Sequence, residues 1–220
     1  MELHVTRRGS GPPVVLTHGF ATSQDVGEAQ VEELAGRHTV VTWDLRGHGR
    51  SAPYPGPYTR GAALADLAAV VETTGEPALL VGHSVGGYLS LAHTLAHPET
   101  VAALAVVAAG PGFRDPGRRA AYNRSVETVA ERCGFPRDVA EVAVQYDSLV
   151  IDGLGAVACP TAVVVGAGDL PVYVAGSRYL AAHLPNARLV EVPGAGHDVH
   201  RDHPAAVATV IAELADRIWG

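Results

Sequence analysis

Three residues that together can activate a hydroxyl for attack on a carbonyl stand in one kind of setting in this chain. Ser84 lies in Gly82-His83-Ser84-Val85-Gly86, Asp169 in Gly166-Ala167-Gly168-Asp169, and His197 in Pro193-Gly194-Ala195-Gly196-His197. Each follows a short expected strand: the apolar runs Pro77–Val81 and Pro160–Val165, and Ala187–Val192. A serine hydroxyl is unreactive at neutral pH until a base removes its proton. A histidine can take that proton and later return it to the leaving group. A carboxylate fixes the tautomer of the histidine and stabilises its cation. The apolar runs read as buried parallel strands. All three side chains would then emerge at carboxyl ends of strands, where open α/β sheets place their ligands.

The stretch around Ser84 is the most informative. Tyr88–His97 is rich in Ala and Leu at helical spacing and is stopped by Pro98. A chain that turns from strand to helix in so few residues needs small neighbours, which Gly82 and Gly86 supply. The alternative is a plain βα turn whose serine only caps the helix. The stretch resembles the nucleophile elbow of the α/β-hydrolase fold superfamily, in its serine-nucleophile branch. The order Ser84, Asp169, His197 is the order of that family's triads. His18-Gly19-Phe20 is similar to its oxyanion turn. Asp44-Leu45-Arg46-Gly47-His48-Gly49-Arg50-Ser51 is similar to a common loop of the family.

The resemblance implies Ser84 as nucleophile, His197 as base, Asp169 as acid, and the backbone N–H groups of Phe20 and Val85 as oxyanion donors. It implies no cofactor and no metal. It also implies a helical cap, here residues 111–158, with about two helices where many relatives have four. The cap would bring Phe113, Tyr122 and Tyr146 toward the pocket, so Phe20, Tyr122 and Tyr146 are the expected substrate-binding residues. A serine at the elbow, where other branches carry aspartate, argues against epoxide-hydrolase and haloalkane-dehalogenase chemistry. The expected activity is cleavage of a carboxylic ester, thioester or lactone through an acyl-enzyme. The same triad could serve a lyase, cyclase, acyltransferase or perhydrolase, or persist in a ligand-binding receptor.

Other residues compete for these roles. His18 is expected to be a structural hydrogen-bonder, since an elbow needs its base elsewhere. His83 adjoins Ser84, but neighbours in extended chain point to opposite faces. His200 and His203 lead into the last helix without the glycine-rich approach of His197. Asp115 is the alternative acid. Asp44 and Arg46 are expected to pair. Gly47 and Gly49 lack the third glycine and following helix of a dinucleotide site, and the 11 histidines show no metal-ligand spacing.

Around these motifs the chain reads as one α/β domain over residues 1–220. The expected form is a predominantly parallel sheet with helices on both faces and a small cap. Further strands are expected at Leu3–Thr6, Pro13–Thr17, His38–Trp43 and Val101–Ala109. Helices are expected at Asp25–Ala35, from a Thr59 cap to Thr73, at Gly117–Cys133, from Pro136 to Val150, at Ala175–Leu184 and at Ala205–Ile218. The 220 residues suffice for one sizeable core, 47% apolar yet only 5% aromatic. A net charge of −7 and the absence of a basic run argue against nucleic acid or an anionic membrane as partner. The expected partner is a small molecule with an acyl group. All 16 basic residues are Arg, which excludes lysine Schiff-base chemistry and a P-loop. Cys133 and Cys159 fit no metal spacing and read as reduced thiols. Met1-Glu2-Leu3-His4-Val5 has no signal-peptide character, and the longest apolar run, Val101–Ala109, is strand-sized. A cytoplasmic location is therefore expected.

Overall fold

The computed structural model describes residues 3–220. Seven strands form one sheet: β1 (Val5–Arg8), β2 (Pro13–Thr17), β3 (Thr39–Trp43), β4 (Ala78–His83), β5 (Val101–Val107), β6 (Thr161–Gly166) and β7 (Ala187–Val192). Their order is β1-β3-β2-β4-β5-β6-β7. Only β1 is antiparallel to its neighbour. From β2 the chain moves outward to β3, then crosses back to β4. The strand order therefore reverses between β2 and β4, which creates a crevice at their carboxyl ends. Thr17 pairs with Gly82 across that junction. The turn carrying Gly19 and Phe20 therefore faces the turn carrying Ser84.

The helices are α1 (Glu28–Leu34), α2 (Arg60–Glu72), α3 (Val85–Ala96), α4 (Pro116–Cys133), α5 (Leu149–Gly153), α6 (Pro171–His183), α7 (Val199–Asp202) and α8 (Pro204–Trp219). They cover both faces of the sheet, so strand side chains are apolar in both directions. Val14, Leu16, Leu79 and Val81 pack with Val31 and Leu34 of α1 and Ile211 and Leu214 of α8. Val15, Leu80, Leu104 and Val163 pack on the other face with Leu67 of α2, Leu89 of α3 and Leu180 of α6. Each fully buried aliphatic side chain contributes about 1.5–3 kcal/mol. With few aromatics, the core is small-residue and tightly layered. Its large exception is Trp43, fully buried, whose Nε1–H donates to Thr17 Oγ1 at 3.0 Å.

Most element boundaries follow the sequence pattern. β2 and β7 match it residue for residue, and α2, capped by Thr59 as expected, ends one residue early at Glu72. β1 begins two residues later than expected, because its antiparallel register aligns Val5 with Trp43 and Arg8 with Val40. α6 begins at Pro171, earlier than expected, with proline in the first turn, where a missing N–H loses nothing.

The larger departure lies between β5 and β6. α4 ends as expected at Gly134, in the left-handed conformation at φ 73°. The helix expected from Pro136 to Val150 does not form. Its place is taken by a 3₁₀ turn at Val139–Ala143, an irregular stretch, and the five-residue α5. In the irregular stretch, side chains take the backbone groups a helix would use. Asn123 brackets Gln145, accepting from its N–H at 2.9 Å and donating to its carbonyl at 2.8 Å. Arg119 Nη1 donates to the carbonyl of Tyr146 at 2.9 Å. No helix among the described residues is long and apolar enough to cross a membrane.

Candidate active site

Ser84 is the last residue before α3 and adopts φ 52°, ψ −115°. A non-glycine residue there is strained by about 1–3 kcal/mol and needs its surroundings to hold it. Its N–H donates to the Val107 carbonyl of β5 at 2.8 Å, and its own carbonyl accepts from Tyr88 N–H at 3.2 Å. The flanking glycines are required by contact. A Cβ on Gly82 would lie 2.3 Å from the Gly86 carbonyl oxygen, and one on Gly86 would lie 2.2 Å from that of Thr17. The tight elbow thus raises the serine hydroxyl over the sheet end, with Val85 N–H as the first donor of α3.

His197 lies between the other two polar groups. Ser84 Oγ is 3.1 Å from its Nε2, and Asp169 Oδ2 is 3.0 Å from its Nδ1. The Asp169 side chain is fully buried, and its Oδ1 accepts from Leu170 N–H at 2.6 Å. The ring of Tyr173, on α6, faces that of His197 with centroids 4.2 Å apart. The Tyr173 hydroxyl approaches those of Ser84 and Tyr122. Burial pushes the Tyr122 and Tyr173 phenols up from their ordinary range, so both remain protonated donors.

Of the competing histidines, His18 and His83 have structural partners, while neither ring nitrogen of His200 has a hydrogen-bond partner among the described residues. His18 Nδ1–H donates to the Gly19 carbonyl at 2.7 Å, and its Nε2 accepts from Leu45 N–H at 2.9 Å. Both nitrogens are used, and burial, with His48 nearby, lowers its pKa to about 4. His83 lies behind His197 and donates from Nε2 to the His197 carbonyl at 3.0 Å. Burial, then the neighbouring His200 and His197, hold it well below the usual histidine range. The His200 ring lies 4.1 Å from that of His83, and burial lowers its pKa to about 4. His83, His200 and Asp198 bring potential metal-ligating atoms within 4.8 Å of one another, the one such group found among the described residues.

Asp115 is exposed, far from these contacts in role: its Oδ1 caps α4 by accepting from Arg118 N–H at 2.7 Å. The expected Asp44–Arg46 pair does not form. Asp44 turns inward to accept from the backbone N–H groups of Gln24 (2.7 Å) and Arg50 (2.9 Å). Arg46 reaches α2, where Asp66 receives it in a bidentate pair at 2.6 Å for each bond. Two planar forks matched in this way outweigh a contact with a carboxylate that already has two backbone donors.

A cavity of about 50 Å³ opens beside Ser84, lined among others by Val85, Tyr88, Phe113, Tyr122, Gln145 and Tyr173. It adjoins a wider groove of about 640 Å³, and Pro111, Gly112, Phe113, Tyr122, Val172 and Gly176 belong to both. Of the residues expected to contact substrate, Tyr122 lines the cavity. Phe20 does not: its ring packs against His48 and Phe135 at 5.4 and 5.6 Å. Tyr146 does not either. It is 53% exposed and covers the Arg60 guanidinium, 4.0 Å from the ring centroid. Arg60 is buried, donates to Tyr88 Oη at 3.0 Å and pairs with Asp147. Tyr88, Gln145 and Tyr173 line the cavity without having been expected there. The only signal for Tyr173 was its position four residues after Asp169.

Residues 12–152 match the family model described as alpha/beta hydrolase fold. This chain belongs to the α/β-hydrolase fold family. A pimeloyl-[acyl-carrier protein] methyl ester esterase of Chromobacterium violaceum is 31% identical to this α/β hydrolase, over 97% of this chain and 98% of its own. The alignment spans 254 positions against 220 residues here, so that esterase has residues with no counterpart in this chain. A putative carbamate hydrolase, RutD, of Caulobacter is 30% identical over 89% of this chain and 87% of its own. Among solved structures, a thermophilic esterase from Thermogutta terrifontis superposes with a TM-score of 0.87 at 26% identity, covering 99% of this chain and 94% of the other.

Proposed function

We propose that this α/β hydrolase cleaves a carboxylic ester, thioester or lactone through an acyl-enzyme on Ser84. The observation that carries the reading is the position of His197, with one ring nitrogen 3.1 Å from Ser84 Oγ and the other 3.0 Å from a fully buried carboxylate. His197 Nε2 takes the serine proton as Oγ attacks the carbonyl carbon. Asp169 accepts from Nδ1–H and steadies the imidazolium. The Tyr173 ring face, 4.2 Å away, adds attraction for that cation. The backbone N–H groups of Phe20 and Val85 receive the oxyanion, each such donor being worth about 2.7–4 kcal/mol. His197 then protonates the departing alcohol or thiol. Water, activated by the same nitrogen, attacks the acyl-enzyme and releases the acid.

His83 supports this work from behind. Its hydrogen bond to the His197 carbonyl fixes the loop that carries the base. Its neutrality keeps a second positive charge away from the imidazolium. The names of the relatives, an ester esterase and a carbamate hydrolase, support hydrolysis at an acyl carbon. The test uses a fluorophosphonate probe and a series of acyl p-nitrophenyl esters. The probe is expected to label Ser84, and Ser84→Ala is expected to abolish labelling and turnover together. Labelling that survives the substitution overturns the assignment.

A further inference from the structure

The cavity beside Ser84 is apolar on most of its wall and, besides the hydroxyls of Tyr88, Tyr122 and Tyr173, carries a side-chain amide that the reaction does not use. Gln145 is 5% exposed, and its Oε1 is fully buried with no hydrogen-bond partner among the described residues. A buried polar group left without a partner is destabilising, so such groups are uncommon and ask for an explanation. The chain holds this one in place deliberately. Asn123 of α4 brackets the Gln145 backbone with two hydrogen bonds, which removes that residue from helical structure. Gly112, at φ 85°, leaves room for the amide: a Cβ there would lie 2.8 Å from Oε1. Tyr88 is not its partner: its hydroxyl accepts from Arg60 and makes no hydrogen bond to Oε1.

We infer that Gln145 is a specificity determinant that binds a hydroxyl carried on the acyl group of the substrate. This rests on the proposed hydrolase reading. The acyl group stays attached to Ser84 through the intermediate, so it must fit the small enclosed space, while the leaving group departs by the wider groove. At about 50 Å³ the cavity admits a short acyl chain of a few non-hydrogen atoms. A side-chain amide offers an acceptor at one end and a donor at the other. A hydroxyl both donates and accepts, so it satisfies the amide in either of its two orientations. A methyl group in the same place would leave the amide buried and unpaired. Sites that hydrogen-bond a substrate hydroxyl reject the analogue lacking it far more sharply than apolar pockets reject an extra methylene.

The test compares isosteric pairs of methyl esters, lactate with isobutyrate and 3-hydroxybutyrate with isovalerate, by acid release. In the native enzyme kcat/KM for at least one hydroxy ester is expected to exceed that of its methyl isostere by about tenfold or more. In Gln145→Leu the ratio is expected to fall to about one or below. Gln145→Met, of similar length, is run beside it. Both variants are checked for the native thermal transition, so that a misfolded one is replaced by the other. A native ratio near one for both pairs, or a ratio unchanged in the folded variant, overturns the inference alone. Absence of ester turnover together with absence of fluorophosphonate labelling at Ser84 overturns the hydrolase reading and the inference with it.

Discussion

The sheet end and the segment between β5 and β6 hold their residues by different means. At the sheet end the main chain does the holding. Strand pairing, two glycines at contact distance and a strained serine fix Ser84. Backbone donors satisfy Asp44 and Asp169. In residues 111–158, side chains hold main chain. Arg114 donates to the Ile151 carbonyl, Arg119 to those of Phe113 and Tyr146, and Asn123 brackets Gln145. The first arrangement tolerates little change in sequence. The second depends on a few side chains, and it contributes Phe113, Tyr122 and Gln145 to the cavity beside Ser84. On the proposed reading, reaction and selectivity are built with separate structural means.

The sharpest way to test that separation is to remove one carboxylate from each region. Asp169→Asn is expected to lower kcat on the order of 10⁴-fold, as in other triads. Asp115→Asn, which only weakens a helix cap, is expected to leave kcat within about twofold and lower stability by no more than about 1 kcal/mol. Steady-state kinetics on one ester decide it, and the reverse pattern moves the acid to Asp115. Smaller effects are expected on stability, read from urea midpoints. Gly86→Ala forces a Cβ against the Thr17 carbonyl and is expected to cost about 3 kcal/mol or more. Asp147→Asn removes a half-exposed partner of Arg60 and is expected to cost only about 1 kcal/mol while raising KM more than it lowers kcat. Equal losses in the two variants would erase the contrast.

The mildest test is pH. His18, His200 and His93, on α3, are lowered to about 4, and burial holds His83 well below its usual range, whereas unfolded histidine titrates near 6.5. The unfolded chain therefore takes up protons first as pH falls. Stability is complete above about pH 6.5 and drains as the pH drops toward about 4, by at most about 1.4 kcal/mol per pH unit for each group. Residues 111–158 contain no histidine, so the weakening arises outside them. His200→Gln is expected to flatten the dependence of the urea midpoint on pH in that window. An unchanged slope would mean that His200 protonates in the folded state.

How much was legible in the sequence follows the same division. Ser84, Asp169 and His197 could be found because each ends an apolar strand and sits among glycines, and strand ends in a parallel sheet converge. Phe20 could be placed by its turn, but the direction of its ring could not, since that depends on His48 and Phe135 from distant segments. Apolar spacing from Val139 to Val150 suggested one helix, yet Asn123 and Arg119 take its backbone groups. Helical periodicity records which residues are buried, and these are buried in irregular chain as well. Gln145 was invisible for the same reason: its role comes from a bracket on α4 and a glycine that clears its way.

The strained conformation of Ser84 also bears on how the protein ages and fails under heat. Its amide is tied to β5 from the end of β4, in the middle of the sheet, so the residue can relax only when the central strands part. Fraying of the peripheral segment leaves it untouched. Exchange of the Ser84 amide hydrogen with solvent should therefore proceed only through global opening, at the slowest rates in the molecule. Ser84 would keep this conformation until the whole domain is lost.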